Sequence, residues 1–378
     1  MSKIGIVGAG NMGRAIAWAM EQLGYDLVIL DWSNSAIQYC RDLLKGNHEF
    51  SSLEALNLAA KCIKCQHAPP YDVWLNDNIA GCSAVISSLP YHKNLDVATF
   101  CIDHQIPYFD LGGSVKVSDD IHSYARLNAT KPVLTDLGLA PGWVNIIAED
   151  MYQLWRQKEV YGASSLGLIM EDTAPNTITM MVGGLPQHPN NTLKYTCTWS
   201  YDGLVNEYRD DCIVLINGEQ KTVRGMGGYQ FPIDSGIGPL EAFYTSGGAA
   251  HTIATMQERG VQNCSYKTLR YPHHWQLVNF LIHDSGLSDD TITEIFKRTC
   301  PAQKDLVIIK VTAEDLAYER IIKSNTTFSA MQQATAFPAA SAVHAVLGGQ
   351  FSDPVLKYTD INPSLFNGAL DSLIQGEI

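Results

Sequence analysis

The stretch KIGIVGAGNMGRAIAWAM at the amino end constrains the fold of this chain more than any other feature. Gly8, Gly10 and Gly13 form a G-x-G-x-x-G between two segments of different periodicity. Lys3 to Val7 is a short, β-branched, apolar run suited to a buried parallel strand. From Asn11 to Leu23, the residues Met12, Ala15, Ile16, Ala19, Met20 and Leu23 recur at helical spacing. Strand, glycine turn and helix in that order predict a dinucleotide-binding unit. Gly8 turns the chain, Gly10 leaves room for a pyrophosphate, and Gly13 lets helix and strand pack closely. Asn11 and Met12 open the helix, whose free N–H groups and positive dipole end then face the phosphates. A plain β-turn-α corner is the competing reading of the same residues.

A second strand, DLVILD, ends at Asp31, near the spacing such a unit requires. A carboxylate there accepts hydrogen bonds from both ribose hydroxyls and repels a 2′-phosphate. Trp32, Ser33 and Asn34 follow, with no Arg or Lys to hold that phosphate. NAD is therefore expected rather than NADP.

Further along, helix is expected around Ala36 to Leu44, and strand in KCIKCQH and in SAVISSLP, which ends at Pro90. A helix through Asn94 to His104 leads to IPYFDLGG, and KPVLTDLGLAPGW repeats the strand-and-turn arrangement before an amphipathic helix from Trp143 to Trp155. Alternating strands and helices predict a doubly wound parallel sheet, the Rossmann form of the α/β class. Ligands sit beyond the carboxyl ends of such strands. That puts Ser88, Leu89 and Pro90, then Asp110 to Gly113, then Asp136 to Gly142, on one rim. Among these, Leu111, Gly112 and Leu139 join Ser88, Leu89, Pro90, Asp31 and Trp32 as expected cofactor contacts.

Past roughly Tyr161 the pattern changes. NTITMMVGGLP, LKYTCTWSYDG and DDCIVLINGEQKTV read as strands divided by Gly, Asn and Asp turns, with a hairpin at INGEQKTV. They predict a second α/β (α+β) domain with a mostly antiparallel sheet. The expected division is residues 1–140 for the dinucleotide-binding domain and 141–335 for substrate binding and dimerisation. The helical FPAASAVHAVLGG stretch, within 336–378, is expected to pack back on the first domain.

A chain of 378 residues suits two domains, and 46% hydrophobic against 17% charged residues leaves ample core for both. A net charge of −13 argues against general nucleic-acid binding, and no apolar run is long enough to cross a bilayer. The glycine unit begins within the first few residues, so no signal peptide is expected and the cytoplasm follows. Nine cysteines should be mostly reduced there. Cys62 and Cys65 have metal or redox spacing without a second matching pair, and they read as strand residues; no metal is expected.

Several blocks now occur in order: GAGNMG, SSLPYHKNLDVATFCIDHQIPYFDLGG, DLGLAPGW, MMVGGLP, TCTWSYDGLVNEY, LEAFYTSGG and TLRYPHH. Together, over almost the whole chain, they resemble the saccharopine dehydrogenase family, in the branch holding saccharopine reductases and lysine 6-dehydrogenases. The resemblance implies a Rossmann domain joined to an α/β domain that supplies the substrate pocket and a homodimer interface. LEAFYTSGG and TLRYPHH look closer to lysine 6-dehydrogenases, where the second motif commonly reads Pro-Gly-His. His274 then matches the family histidine and His273 stands in place of a glycine. Asp31 agrees with the NAD preference of that branch.

The implied reaction oxidises the carbon beside an amine nitrogen of an amino acid, with the dinucleotide as acceptor. An ammonium has no lone pair to assist, and a free lysine amine has a pKa of about 10.4, so the site must favour the neutral amine. His274 has the motif match and a suitable pKa for a base, or else it is an ordering residue bonded to a backbone carbonyl. Tyr244 could polarise the amine or simply pack; His92 could touch substrate or ribose, or be a solvated loop residue; Asp136 could neutralise the ammonium or cap a turn. An α-carboxylate needs a fork of donors, for which Arg270 and then Arg224 are the candidates, with a structural ion pair as Arg270's other reading. Tyr91, Gly113, Pro141, Gly142 and Thr245 complete the expected substrate contacts, although Pro141 and Gly142 also suit a turn that starts a helix. Two other functions remain open: a saccharopine or carboxyspermidine-type dehydrogenase handling a secondary amine, and a non-catalytic NAD-binding redox sensor. A second amino-acid arm would call on Arg209, Arg224 and Arg259.

Overall fold

Ile4, Ile6, Ile29, Leu30, Val85 and Ile86 are all buried, as strands covered on both faces require. A computed structural model describes residues 2–46, 60–64, 71–165 and 174–375. It divides into two compact units, Met1–Trp143 with Gln332–Ile378, and Val144–Met331. Among the described residues no helix is long and apolar enough to cross a membrane.

The first unit carries β1 (Lys3–Val7), β2 (Asp26–Asp31), β3 (Ala60–Lys64), β4 (Ala84–Ser87), β5 (Tyr108–Asp110) and β6 (Val133–Leu134). They form one sheet in the order β3-β2-β1-β4-β5-β6, parallel throughout. Between the strands run α1 (Asn11–Gln22), α2 (Asn34–Gly46), α3 (Tyr71–Ile79), α4 (Asn94–Asp103) and α5 (Val115–Asn128). Strand order reverses between β1 and β4, which opens a crevice at their carboxyl ends. Cys62 lies in β3, and Cys65 lies outside the described residues.

The carboxyl-terminal part of this unit holds most of α11 (Ala330–Leu347) and all of α12 (Pro363–Gln375). Phe337 of α11 stacks on Trp18 of α1 with ring centroids 5.3 Å apart. Gln332 donates through Nε2 to the Asn11 carbonyl at 2.7 Å. Pro354 and Leu356 bracket Val133 of β6 through backbone bonds of 2.7 and 2.9 Å.

The second unit contains nearly all of α6 (Trp143–Ser165), followed by β7 (Thr177–Pro186), α7 (Tyr201–Arg209), β8 (Cys212–Ile216) and β9 (Glu219–Val223). β10 (Gln230–Ile233), β11 (Leu240–Tyr244), α8 (Thr252–Glu258), β12 (Asn263–Arg270) and α9 (His274–Asn279) come next. Then come α10 (Asp289–Thr299), β13 (Asp305–Ala313) and β14 (Leu316–Lys323). The sheet runs β10-β11-β12-β7-β13-β14, with β8 joining β12 to β9. All pairings are antiparallel except β12 with β7. The hairpin of β8 and β9 turns at Asn217 and Gly218, both at positive φ, as a two-residue hairpin turn demands.

One expected strand is absent. LKYTCTWSYDG is irregular as far as Ser200 and then enters α7. Asn191 supplies both partners that a neighbouring strand would give Tyr195: its Oδ1 accepts from the Tyr195 amide at 3.0 Å, and its Nδ2 donates to the Tyr195 carbonyl at 2.6 Å. With those groups satisfied, Tyr195 and Cys197 pack into an aromatic core with Tyr208, Phe243 and Phe296. The alternation in the sequence records that burial rather than a ladder.

Candidate functional site

In the first unit the strand ends that the sequence singles out lie along one rim. A Cβ on Gly13 would sit 1.9 Å from the Gly8 carbonyl oxygen, so only glycine lets α1 approach β1 this closely. A Cβ on exposed Gly10 would meet nothing within 4 Å, leaving the start of α1 open to a phosphate. Ser88 donates to the Gly8 carbonyl at 2.8 Å and so ties the end of β4 to the glycine turn. Asp31 accepts from the Ala9 amide at 2.7 Å and the Ser33 amide at 2.6 Å. Its carboxylate is thus fixed at the end of β2, beside the glycine turn, and Trp32 is exposed next to it. Asn11 is exposed and Met12 half-buried at the head of α1. These residues fit a dinucleotide on the geometry of the cradle itself.

The rim continues through Leu89, Pro90, Tyr91 and His92, the last three exposed. Tyr91 meets the His92 ring edge-on with centroids 5.9 Å apart, and a Cβ on Gly113 would touch the Tyr91 side chain at 3.3 Å. Gly112 has φ +76, and a Cβ there would lie 2.3 Å from an Asp136 carboxylate oxygen and 3.0 Å from Pro141. The Leu111–Gly113 and Asp136–Gly142 loops therefore interlock. The second loop closes on itself through the Trp143 amide, which donates to the Gly138 carbonyl at 2.9 Å, and buried Leu139, Pro141 and Gly142 lie within it.

Asp136 is buried, and its two oxygens accept from Ser118 at 3.0 Å and Thr135 at 3.1 Å. Asp110, at the end of β5, is also buried and stands beside it. Burial, and secondarily the Asp136 charge, pushes the Asp110 carboxyl up to about 7.

The second unit separates the remaining candidates between the two faces of its sheet. Tyr266, Thr268 and Arg270 alternate with Lys267 and Leu269 along β12, and Tyr244 of β11 pairs with Lys267. Arg270, Thr245 and His274 share one face. Tyr244 is on the other.

His274 is wholly buried. Its Nδ1 meets the Leu193 carbonyl at 2.7 Å and its Nε2 meets the Tyr208 hydroxyl at 3.1 Å, so neither ring nitrogen is left for a substrate. Burial, helped by the nearby Arg270 charge, pushes its pKa down to about 3. That is the ordering role in place of the expected base. Arg270 is likewise held within the unit through two of its nitrogens. Its Nε donates to the Tyr208 hydroxyl at 2.8 Å and Nη1 to the Leu269 carbonyl at 2.9 Å, while the guanidinium lies over the Tyr195 ring at 4.6 Å. Thr245 bonds Thr268 at 2.8 Å and Glu207 at 3.2 Å. Burial raises the Glu207 carboxyl against the pull of Arg270. The group is a satisfied core network.

His273 has φ +80, which accounts for a glycine at that place in the family motif, and its amide donates to Glu241 at 3.1 Å. Arg259 is paired with Glu149, and Arg209 with Asp289 at 2.6 Å, whereas Arg224 is exposed.

Three residues escaped the sequence reading. Lys267 is buried, donates to the Gly228 carbonyl at 2.8 Å and lies 4.7 Å above the half-buried Tyr244 ring. Burial pushes it down to about 8. The strand sequence NCSYKTLR mixes polar and apolar residues and gave no signal of that burial. Gln332, which reaches the head of α1, offered none. Asp110 is placed on the rim by the sequence but given no role there, although an acid closing a buried strand, as in YFD, marks it.

Two family models match the chain: the saccharopine dehydrogenase NADP binding domain over residues 4–134, and the saccharopine dehydrogenase C-terminal domain over residues 138–375. Among solved structures, the chain is similar to saccharopine dehydrogenase (L-Glu forming) from Saccharomyces cerevisiae, at 14% identity and a TM-score of 0.70, covering 100% of this chain and 98% of that one. It is also similar to a myo-inositol dehydrogenase from Corynebacterium glutamicum, at 10% identity and a TM-score of 0.40, covering 100% and 98%. For a scyllo-inositol dehydrogenase from Lactobacillus casei with NAD(H) and scyllo-inositol, identity is 8%, TM-score 0.43 and coverage 99% and 95%. The yeast likeness, at that identity, is one of fold.

Proposed function

The chain belongs to the saccharopine dehydrogenase family, oxidoreductases with an amino-terminal NAD(P)-binding domain, and from that premise we propose that it is an NAD-dependent, lysine 6-dehydrogenase-like enzyme that oxidatively deaminates an amino-acid amine. The observation that carries the cofactor half is Asp31, whose carboxylate is held by the Ala9 and Ser33 amides at 2.7 and 2.6 Å. A charge fixed there accepts the ribose hydroxyls and opposes a 2′-phosphate. The substrate half rests on LEAFYTSGG and TLRYPHH, and on the commitment of Arg259 and Arg209 to Glu149 and Asp289, which removes two cations that a second amino-acid arm would use.

A bound nicotinamide dinucleotide supplies the two-electron acceptor. The chain's own residues must bind the amino acid, discharge its ammonium and admit water for hydrolysis of the imine. Asp136, with its oxygens held by Ser118 and Thr135, is a fixed carboxylate of the rim and the counter-charge for the ammonium. Lys267, brought down to about 8 by burial and set against the Tyr244 ring, is one group of the second unit able to hold or release a proton near neutrality.

The test follows nicotinamide absorbance with NAD and then NADP across lysine, saccharopine, ornithine and carboxyspermidine. Oxidation of lysine with NAD supports the proposal. Turnover only with a secondary amine replaces it with the saccharopine-type reaction, and tight NAD binding without turnover on any of them would favour a sensor.

A further inference from the structure

We propose that Asp110 is a positioning residue of the cofactor rim: as the neutral, protonated member of an Asp110–Asp136 carboxyl pair, it clamps the Leu111–Gly113 loop to the Asp136–Gly142 loop.

The clamp lies in one carboxyl group. Asp110 Oδ1 accepts from the Gly112 amide at 2.8 Å and from the Asp136 amide at 3.2 Å, so one oxygen holds the first turn of each loop. The Leu137 amide adds a backbone bond to the Asp110 carbonyl at 2.9 Å. Gly112 already stands where a Cβ would strike Asp136, and Asp136 itself has φ +66, unusual for a residue other than glycine.

The bonding at Oδ2 suits a proton. Tyr108 Oη lies 2.9 Å from Oδ2 and 3.2 Å from the Asn94 carbonyl. When Oδ2 carries the proton it donates to Tyr108, Tyr108 donates to Asn94, and every polar group in the row is satisfied. Asn94 in turn accepts through its side chain from Ser87 at 2.9 Å, which extends the row to the end of β4. An ionised Asp110 would instead put a second negative charge against Asp136 in a buried place.

The groups facing Asp110 from the surrounding elements are Asp136 from the β6 loop, Tyr108 from β5 and, behind Tyr108, Asn94 and Cys101 from α4. Asp136 is bonded to Ser118 of α5 and to Thr135, which also meets His122 of α5 at 3.0 Å. Burial holds the Tyr108 and Cys101 protons on throughout the working range. Asp110 itself is raised to about 7, so the clamp is complete below that point and strained above it.

The inference rests on the dinucleotide site and not on the identity of the amine. NADH binding, read by its fluorescence without any amine present, tests it apart from the proposed reaction. The wild type should lose about five- to ten-fold in NADH affinity between about pH 6 and about pH 8.5, by reciprocal coupling of the proton and NADH. Asp110→Asn keeps the Oδ1 acceptor and cannot ionise, so it should bind like the wild type at the lower pH and stay level to the higher one. Asp110→Ala should bind weakly at both. The proposal is overturned if wild type and Asp110→Asn share one pH profile, or if Asp110→Asn binds as poorly as Asp110→Ala at the lower pH. Should the alanine variant not fold, the first comparison decides alone.

Discussion

Replacing His274 with leucine should cost the protein stability near neutral pH, and most of that cost should disappear in mild acid. The imidazole is wholly buried, with its two nitrogens on Leu193 and Tyr208. Burial lowers its pKa from 6.5 to about 3. The unfolded chain therefore takes up a proton below 6.5 that the folded chain refuses until about 3. The stability contributed by the neutral ring is whole above 6.5 and drains away as pH falls. At about pH 4.5 the loss is two units at about 1.36 kcal/mol each, or about 2.7 kcal/mol. Leucine carries no proton and escapes it. At about pH 7 leucine leaves the Leu193 carbonyl without its side-chain donor and the Tyr208 hydroxyl with only its Arg270 partner, at about 1–3 kcal/mol for each such buried group. Urea unfolding of both proteins at the two pH values, followed by tryptophan fluorescence, gives the difference directly, and other titrating groups cancel within it. The gap should narrow by about 2.7 kcal/mol on acidification. An unchanged gap would mean that the folded imidazole titrates normally, and would return His274 to the list of proton acceptors.

Gly13→Ala should abolish measurable NAD binding by calorimetry and lower the melting temperature, because its Cβ falls 1.9 Å from a backbone oxygen that cannot move alone. His273→Gly should raise stability by about 0.5–1 kcal/mol in urea unfolding by relieving the left-handed backbone; a loss would show that the side chain contributes more than the strain costs. Asp31→Ser should shift the ratio of NADP to NAD affinity by about ten-fold or more toward NADP, since one charge at a 2′-phosphate is worth at least about 1.4 kcal/mol. A constant ratio would place the discrimination elsewhere.

Local patterns carried the first unit. The apolar run before Gly8, the helical spacing after Gly10 and the acids and glycines closing the later strands are each decided within a few residues, and the parallel sheet follows from them. The Asn217-Gly218 turn was legible for the same reason. What the sequence could not convey was how side chains are spent. His274 and Arg270 carry the right chemistry in the right motif, yet their partners lie at Leu193, Tyr195 and Tyr208, far away along the chain. Tyr195 has a strand-like neighbourhood, yet the Asn191 side chain, four residues away, takes up the backbone groups that a ladder would use. Lys267 looks like any strand lysine until the Tyr244 ring and the Gly228 carbonyl are seen to enclose it. Register does the rest: one step along β12 separates Lys267 from Thr268 and so from the Arg270 face.

The central claim, oxidation of an amino-acid amine with NAD, meets its most direct test in a count of products. With L-lysine and NAD as the only substrates, ammonia and NADH should form in equal amounts, and replacing NAD with NADP should cut the rate sharply. NADH formation from saccharopine but not from lysine, with an amino acid released in place of ammonia, would contradict it.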